Sequence, residues 1–104
     1  MANGTVRRIL HFKFTLPTKD GAPIAAMIQA ARPFMEIWGG KRSRLLQNVD
    51  DPTRFVHEIE YETPEAIEFN RQQIASDPRV QTYLHSWRML MSGTVEVEVY
   101  QEAG

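Results

Sequence analysis

The segment 54–62 alternates between two kinds of side chain, and this alternation constrains the fold most strongly. Aromatic, aliphatic and histidine side chains occupy one set of positions and mainly acidic side chains the other: Phe55, His57, Ile59 and Tyr61 against Val56, Glu58, Glu60 and Glu62. A period of two residues predicts a β-strand with one face towards the core and the other towards solvent. A second layer must therefore cover the apolar face.

Three other segments are predicted to be strands. Thr5 to Leu16 alternates in the same way, Lys41 to Val49 is a weaker strand, and the valines of 95–99 alternate with glutamates. Asp50-Asp51-Pro52 is typical of a turn, because Asp side chains bind the nearby backbone and Pro fixes φ. The second and third strands should therefore form a hairpin.

Helical spacing appears on both sides of this hairpin. Asp20 is a predicted cap for a first helix with an apolar face of Ile24, Met27, Ile28, Ala31, Met35 and Trp38. Pro33 should kink or end it, and Gly39-Gly40 should close it. Thr63-Pro64-Glu65 predicts another helix start, with Thr63 as the cap. Ser76-Asp77-Pro78 predicts the start of the last helix, whose apolar positions are Val80, Tyr83, Leu84, Trp87, Leu90 and Met91, with Gly93 at its C′ position.

The order βαββαβ predicts an α+β fold, a ferredoxin-like sandwich with a four-stranded antiparallel sheet and helices on one face. We expect one domain over residues 1–104. The other sheet face carries charged residues and His11, and we expect Arg7 to pair with Glu96 or Glu98 across neighbouring strands. A second copy of the chain could cover this face, which favours a homodimer.

Charge and composition exclude several classes of function. Twelve Lys and Arg against 13 Asp and Glu give a net charge of -1, which argues against a nucleic-acid or anionic-membrane binder. The absence of cysteine excludes a thiolate metal site. The sequence has neither a paired-histidine metal motif nor a glycine-rich nucleotide motif, so we expect no metal and no cofactor. No apolar run spans a membrane, and we expect a cytoplasmic protein.

Much of the chain resembles one superfamily. The stretch LLQNVDDPTRFVHEIEYETPEAI of 45–67, the stretch SDPRVQTY of 76–83 and the first-strand stretch RILHFKF of 8–14 are similar to the dimeric α+β barrel superfamily. The antibiotic-biosynthesis monooxygenase-like and stress-responsive A/B barrel families are nearest. The resemblance implies a pocket between sheet and helices, and activities such as cofactor-independent oxygenation, cyclisation or isomerisation. Histidines common in A/B barrel proteins align with Arg8 and with Arg79 or Val80, so a mechanism based on them does not transfer.

His57 and Tyr61 are the candidate catalytic residues. His57 lies between apolar residues on the face that should be buried, where it could act as a general acid or base. It could equally be a core histidine that binds a backbone carbonyl or Tyr61. Tyr61 could hold a substrate oxygen, or it could be a core aromatic.

The candidate substrate-binding residues are Arg8, Phe12, Trp38, Tyr83 and Trp87. Arg8 shares the apolar face of the first strand, where it could bind an acidic group of the substrate or reach solvent at the strand end. The aromatic residues could form the walls of a pocket, although ordinary core packing also explains them. We predict no metal-binding residues.

Two functions remain open from the sequence. One is an enzyme that acts on a small hydrophobic or aromatic molecule without a metal or nucleotide cofactor. The other is a non-catalytic homodimer, either ligand-binding or stress-associated, in which His57 is structural. A third and weaker hypothesis is haem binding, which a Soret band would reveal.

Overall fold

The computed structural model describes residues 4–37, 40–68, 71–87 and 91–103. Strand β1 (Thr5–Thr15) is followed by helix α1 (Ala22–Ile37), and strands β2 (Gly40–Gln47) and β3 (Arg54–Pro64) form a hairpin. A 3₁₀ turn (Glu65–Ile67), helix α2 (Arg71–Ser76) and helix α3 (Pro78–Trp87) lead to strand β4 (Ser92–Tyr100).

The four strands form one antiparallel sheet in the order β2-β3-β1-β4. Helix α1 packs on β2, whereas α2 packs on α3 and β4. The two helical groups therefore lie over the two edge strands, and the apolar face of the central strands β1 and β3 lies beneath and between them. This arrangement confirms the predicted α+β, ferredoxin-like fold.

The core lies between the sheet and the helices. We call this side of the sheet the inner face and the opposite side the outer face. The buried cluster is formed by Leu10, Phe12, Phe14, Leu16, Ile24, Ile28, Phe55, Ile59, Tyr61, Ile74, Val80 and Tyr83. The strand residues alternate with half-buried or exposed ones, as a period of two requires.

Several local signals act as predicted. The Asp20 carboxylate accepts the backbone N–H of Ala22, and that of Asp77 accepts the N–H of Arg79. Two helix starts are thereby capped. Pro33 lies inside α1, which continues to Ile37, so the alternative in which Pro33 ends the helix is wrong.

Other local predictions are wrong. Thr63 does not cap a helix, because β3 continues to Pro64 in register with the start of β1, and the following 3₁₀ turn has no side-chain cap. Gly93, predicted at the C′ position of the last helix, has a positive φ of 83° but lies in β4. The register between β1 and β4 shifts beside it, so Gly93 serves a β-bulge.

The predicted partner of Arg7 is also wrong. Its guanidinium lies 3.7 Å from the Glu62 carboxylate of β3. The reason is the register of β4, in which Tyr100 pairs with Ile9, so Glu98 comes opposite His11 instead.

Among the described helices, none combines the length and the apolar character that crossing a membrane requires.

Candidate active site

His57 lies at the centre of the inner face with none of its surface exposed. The alternation of β3 directs it inwards, and the sheet register places Phe12 directly opposite it on β1 and Leu45 opposite it on β2. An imidazole in such surroundings requires hydrogen-bond partners, because leaving a buried polar atom unsatisfied costs about 1–3 kcal/mol.

Helix α3 supplies such a partner. The Tyr83 hydroxyl lies 2.5 Å from His57 Nδ1. The Phe12 ring lies beside both, with centroids 6.2 Å from His57 and 5.8 Å from Tyr83. We call Phe12, His57 and Tyr83 the aromatic triad. It combines the His57 imidazole of β3 with two aromatic walls, Phe12 from β1 and Tyr83 from α3.

Burial determines the charge states of the triad. It lowers the pKa of His57 from 6.5 to about 4 and raises the pKa of Tyr83. Near neutral pH, both groups are therefore uncharged. A neutral imidazole has one donor and one acceptor nitrogen, so the bond to Tyr83 also fixes which role remains for Nε2. If the hydroxyl donates to Nδ1, Nε2 carries the proton; if Nδ1–H donates, Nε2 is an acceptor.

Tyr61 and Arg8 form a second pair on the inner face. They lie directly opposite each other on β3 and β1, and Tyr61 is buried. Arg8 pairs with the Glu68 carboxylate, with Nε 2.5 Å from Oε2 and Nη2 3.2 Å from Oε1. Burial raises the pKa of Tyr61; the charge of Glu68 raises it further, and that of Arg8 opposes this.

Phe12 comes four positions after Arg8 on β1, which corresponds to about 13 Å between their backbones at the usual rise of a strand. The two pairs therefore bracket a strip of inner face whose middle is formed by Leu10 and Ile59. Both of these side chains are buried in the core. The strip has an uncharged imidazole at one end and a cation at the other.

The structure brings together Phe12, His57 and Tyr83, and separately Arg8 and Tyr61. The predicted Trp38 lies outside the described residues. Trp87 is in α3, but its side chain is also outside the described part of the molecule. No local sequence pattern indicates Glu68 as the partner of Arg8 or Tyr83 as the partner of His57, because these contacts join residues 60 and 26 positions apart.

The outer face carries a row of charges across all four strands. His11 Nε2 lies 2.8 Å from Glu58 Oε2, Arg44 Nε lies 2.8 Å from Glu58 Oε1, and Glu98 lies opposite His11. Lys13 forms an ion pair with Glu98. Burial opposes ionisation of Glu58, but hydrogen bonds from His11 and Arg44 lower its pKa overall.

Hollows in the described surface also lie along this outer side. One of about 330 Å³ is lined in part by Leu46, Arg54, Val56 and Glu96, and one of about 210 Å³ by Ile9, Arg42, Ser43, Arg44, Glu58 and Glu60. Among the described residues, no three His, Asp or Glu side chains are grouped to hold a metal ion.

Solved structures resemble this one over nearly its whole length. A protein from Bordetella bronchiseptica, designated an antibiotic biosynthesis monooxygenase, has a TM-score of 0.71 and 14% identity, with 94% of this chain and 98% of that chain covered. A protein of the same designation from Nitrosomonas europaea has a TM-score of 0.65 and 17% identity, covering 96% and 93%.

A third similar structure is SnoaB from Streptomyces nogalater, described as a cofactor-independent oxygenase. Its TM-score is 0.65 at 16% identity, with 95% of each chain covered. No protein-family model matches the sequence, and no curated protein is significantly similar to it. The chain therefore has the ferredoxin-like α+β fold of the antibiotic biosynthesis monooxygenase-like proteins, as its sequence resemblance to the dimeric α+β barrel superfamily predicts.

Proposed function

We propose that this protein is an enzyme that oxygenates a small hydrophobic or aromatic substrate without a metal or nucleotide cofactor. The observation that carries the proposal is the bond between His57 and Tyr83, which holds a titratable group among aromatic walls between sheet and helices. The fold shared with an oxygenase described as cofactor-independent supports it. Cyclisation and isomerisation also begin with a proton transfer at carbon, and the same site would suit them.

The proposed reaction needs only substrate, O₂ and a base. His57 takes a proton from an acidic C–H of the substrate, and the carbanion gives an electron to O₂. Recombination of the two radicals and return of the proton yield a hydroperoxide. Loss of water from the hydroperoxide then leaves a carbonyl group. The balance is one CH₂ group and O₂ converted to C=O and H₂O.

The low pKa of His57 determines which substrates can react. An imidazole with a pKa of about 4 is a weak base while no anion lies beside it. A substrate anion formed in contact with the imidazolium raises the pKa of His57, because opposite charges stabilise each other strongly away from water. The site therefore favours substrates whose anion stays next to His57 and is delocalised over aromatic rings.

Access to His57 requires motion. Its side chain has no exposed surface, and Tyr83 covers it from α3. A substrate reaches it when side chains of the helical layer move aside, which is a common step in enzymes that exclude water. Phe12, Tyr61 and Tyr83 then form the walls in this proposal, together with Arg8 at the far end.

Oxygen uptake with anthrone tests the proposal. Anthrone has an acidic methylene group between two aromatic rings, and its oxidation by O₂ gives anthraquinone and water. We expect uptake above the protein-free rate for the wild type and its loss in His57→Gln, with the melting temperature lowered only slightly. His85→Gln is the matched control, because His85 lies exposed on α3, the helix that carries Tyr83. Uptake in His57→Gln equal to the wild type would exclude His57 as the base.

A non-catalytic role is the second candidate function. It is favoured by the complete enclosure of His57, whose bond to Tyr83 is also typical of a satisfied core histidine. In that case, His57→Gln should mainly lower stability, and the wild type should take up no oxygen beyond the protein-free rate. Melting curves and oxygen electrodes applied to the same variants separate the two functions.

We also propose that the protein is a homodimer through the outer face. Ile9 and Val56 are half-buried there, and Leu46 and Tyr100 are exposed apolar residues beside the charged row. Acidic and basic side chains alternate across the strands, so a second copy can present complementary charges to the first. Light scattering after size-exclusion chromatography tests this. We expect a dimer for the wild type and a monomer for Leu46→Glu; a monomeric wild type contradicts the proposal.

A further inference from the structure

Arg8 occupies an unusual position for a cation. The alternation of β1 places it on the inner face in line with Leu10 and Phe12, and its side chain is only 21% exposed. A charge that is largely removed from water is stable only when it is paired and hydrogen-bonded. Each of its three guanidinium nitrogens has a partner, because Nε and Nη2 face the Glu68 carboxylate and Nη1 donates to the carbonyl of Arg7.

Glu68 reaches Arg8 from the segment after β3. Its side chain is also largely buried, at 23% exposure. The other ion pairs of Lys and Arg that the structure describes on the sheet lie on the outer face: Arg7–Glu62, Lys13–Glu98, Arg42–Glu60 and Arg44–Glu58. Arg8 and Glu68 are thus placed where two apolar side chains would stabilise the fold about as well or better.

The two-pronged contact between Arg8 and Glu68 has the geometry in which arginine binds any carboxylate. Arg8 also lines a hollow of about 170 Å³ at this end of the sheet, whose other lining residues are Arg7, Ile9 and Glu60 of the outer face together with Gln101 and Glu102. Arg8 also lies about 13 Å along β1 from the residue opposite His57. The two residues therefore lie at opposite ends of the inner-face strip.

We propose that Arg8 is an anion subsite of the inner-face site, and that Glu68 occupies it as an internal counter-anion that an acidic group of the substrate displaces. This inference rests on the proposed function and specifies its substrate class: an aromatic molecule that carries an acidic group such as a carboxylate. Glu68 is then a specificity-determining residue. It keeps Arg8 paired in the absence of substrate. Displacing Glu68 from Arg8 costs free energy, which an anionic ligand recovers by pairing with Arg8 and a neutral ligand does not.

The test is equilibrium binding of two fluorescent probes, anthracenecarboxylate and its neutral carboxamide, followed by fluorescence titration without turnover. We expect the wild type to prefer the carboxylate. Glu68→Gln should bind the carboxylate roughly fivefold more tightly, because the competing charge is gone while the amide can still contact Arg8. Its affinity for the carboxamide should not change. Arg8→Met should lose the preference for the carboxylate.

Glu62→Gln is the matched control. Glu62 belongs to the neighbouring ion pair with Arg7, but on the outer face, so its removal should leave both affinities unchanged. The double variant Arg8→Met/Glu68→Leu shows whether a lost preference reflects a folding defect, because it leaves neither charge unpaired. We expect its melting temperature to be no lower than that of the wild type, and we expect it to show no preference for the carboxylate.

Three results would overturn the inference: binding of neither probe, equal affinities of the wild type for both, or equal changes for both in Glu68→Gln. The proposed function fails separately. A protein that shows the Arg8 and Glu68 effects but no oxygen uptake is a binder of aromatic acids. A protein that oxidises anthrone without any preference for the carboxylate retains the enzyme assignment and excludes the anion subsite.

Discussion

Tyr83 and His57 are 26 residues apart, yet the Tyr83 hydroxyl lies 2.5 Å from His57 Nδ1 in the interior of the protein. The bond joins α3 to the centre of the sheet across the aromatic triad. Neither residue has a solvent-exposed alternative, since both are buried. The bond therefore contributes to stability whether or not the site is catalytic. Its contribution to stability can be measured separately from any contribution to catalysis.

A double-mutant cycle measures the contribution to stability. Tyr83→Phe removes the hydroxyl, leaves the ring in place and deprives the imidazole of a partner, so we expect the free energy of unfolding to fall by about 1–3 kcal/mol. Once His57 is already Gln, Tyr83→Phe should cost less. Urea unfolding at pH 7 of the wild type, both single variants and the double variant gives the coupling energy. A coupling energy of zero would contradict the bond.

The pH dependence of stability provides a second test. Burial lowers the pKa of His57 to about 4 in the folded protein from its ordinary value of 6.5, so between these values the unfolded chain binds more protons at His57. The contribution of His57 to the free energy of unfolding is therefore fully present above about pH 6.5, and it decreases as the pH falls towards 4. We expect a loss of about 2 kcal/mol between pH 7 and pH 5.

The comparison with His57→Gln isolates this effect. Unfolding in urea at pH 7 and pH 5 should show the loss in the wild type and a clearly smaller one in the variant. The acidic groups whose pKa values are lowered in the folded state, Asp51, Glu58, Asp77 and Glu98, ionise below this window. Equal pH dependence in the two proteins would show that the His57 pKa is not depressed.

The sequence predicts the layers of this fold better than its contacts. Alternation in 54–62 shows which side chains of β3 point inwards, because a period of two has only two faces. It does not show the register with β4, in which Tyr100 pairs with Ile9, so the predicted pairing of Arg7 with Glu96 or Glu98 is wrong. The partners of His57 and Arg8 depend on how α3 and the segment after β3 pack on the sheet. The hydrophobic period of a strand or helix carries no information about this packing.

Gly93 tests the role of the bulge. Its φ of 83° is one that side chains with a Cβ rarely adopt, although an added Cβ would meet no atom within 4 Å. Gly93→Ala should therefore cost about 1 kcal/mol through backbone strain alone. Asn tolerates this conformation better, so Gly93→Asn should cost less. Urea unfolding of both variants checks the order, and an alanine variant as stable as the wild type contradicts the positive φ.

Gly21 tests the packing at the other end of the sheet, where the chain enters α1. A Cβ added there would lie 2.9 Å from Cε1 and 3.4 Å from Cζ of Phe55. The Phe55 ring is buried and stacked on Phe14, with centroids 5.9 Å apart, so it has little room to yield. We expect Gly21→Ala to lower the free energy of unfolding by about 1–3 kcal/mol.

Gly4→Ala is the control for this variant, since a Cβ added at Gly4 meets nothing within 4 Å. It should leave stability within about 0.5 kcal/mol of the wild type. Alanine ordinarily stabilises a chain relative to glycine by restricting the unfolded state. A Gly21→Ala variant more stable than the wild type would therefore mean that the Phe55 ring moves aside freely, and that this end of the core is looser than its close contacts indicate.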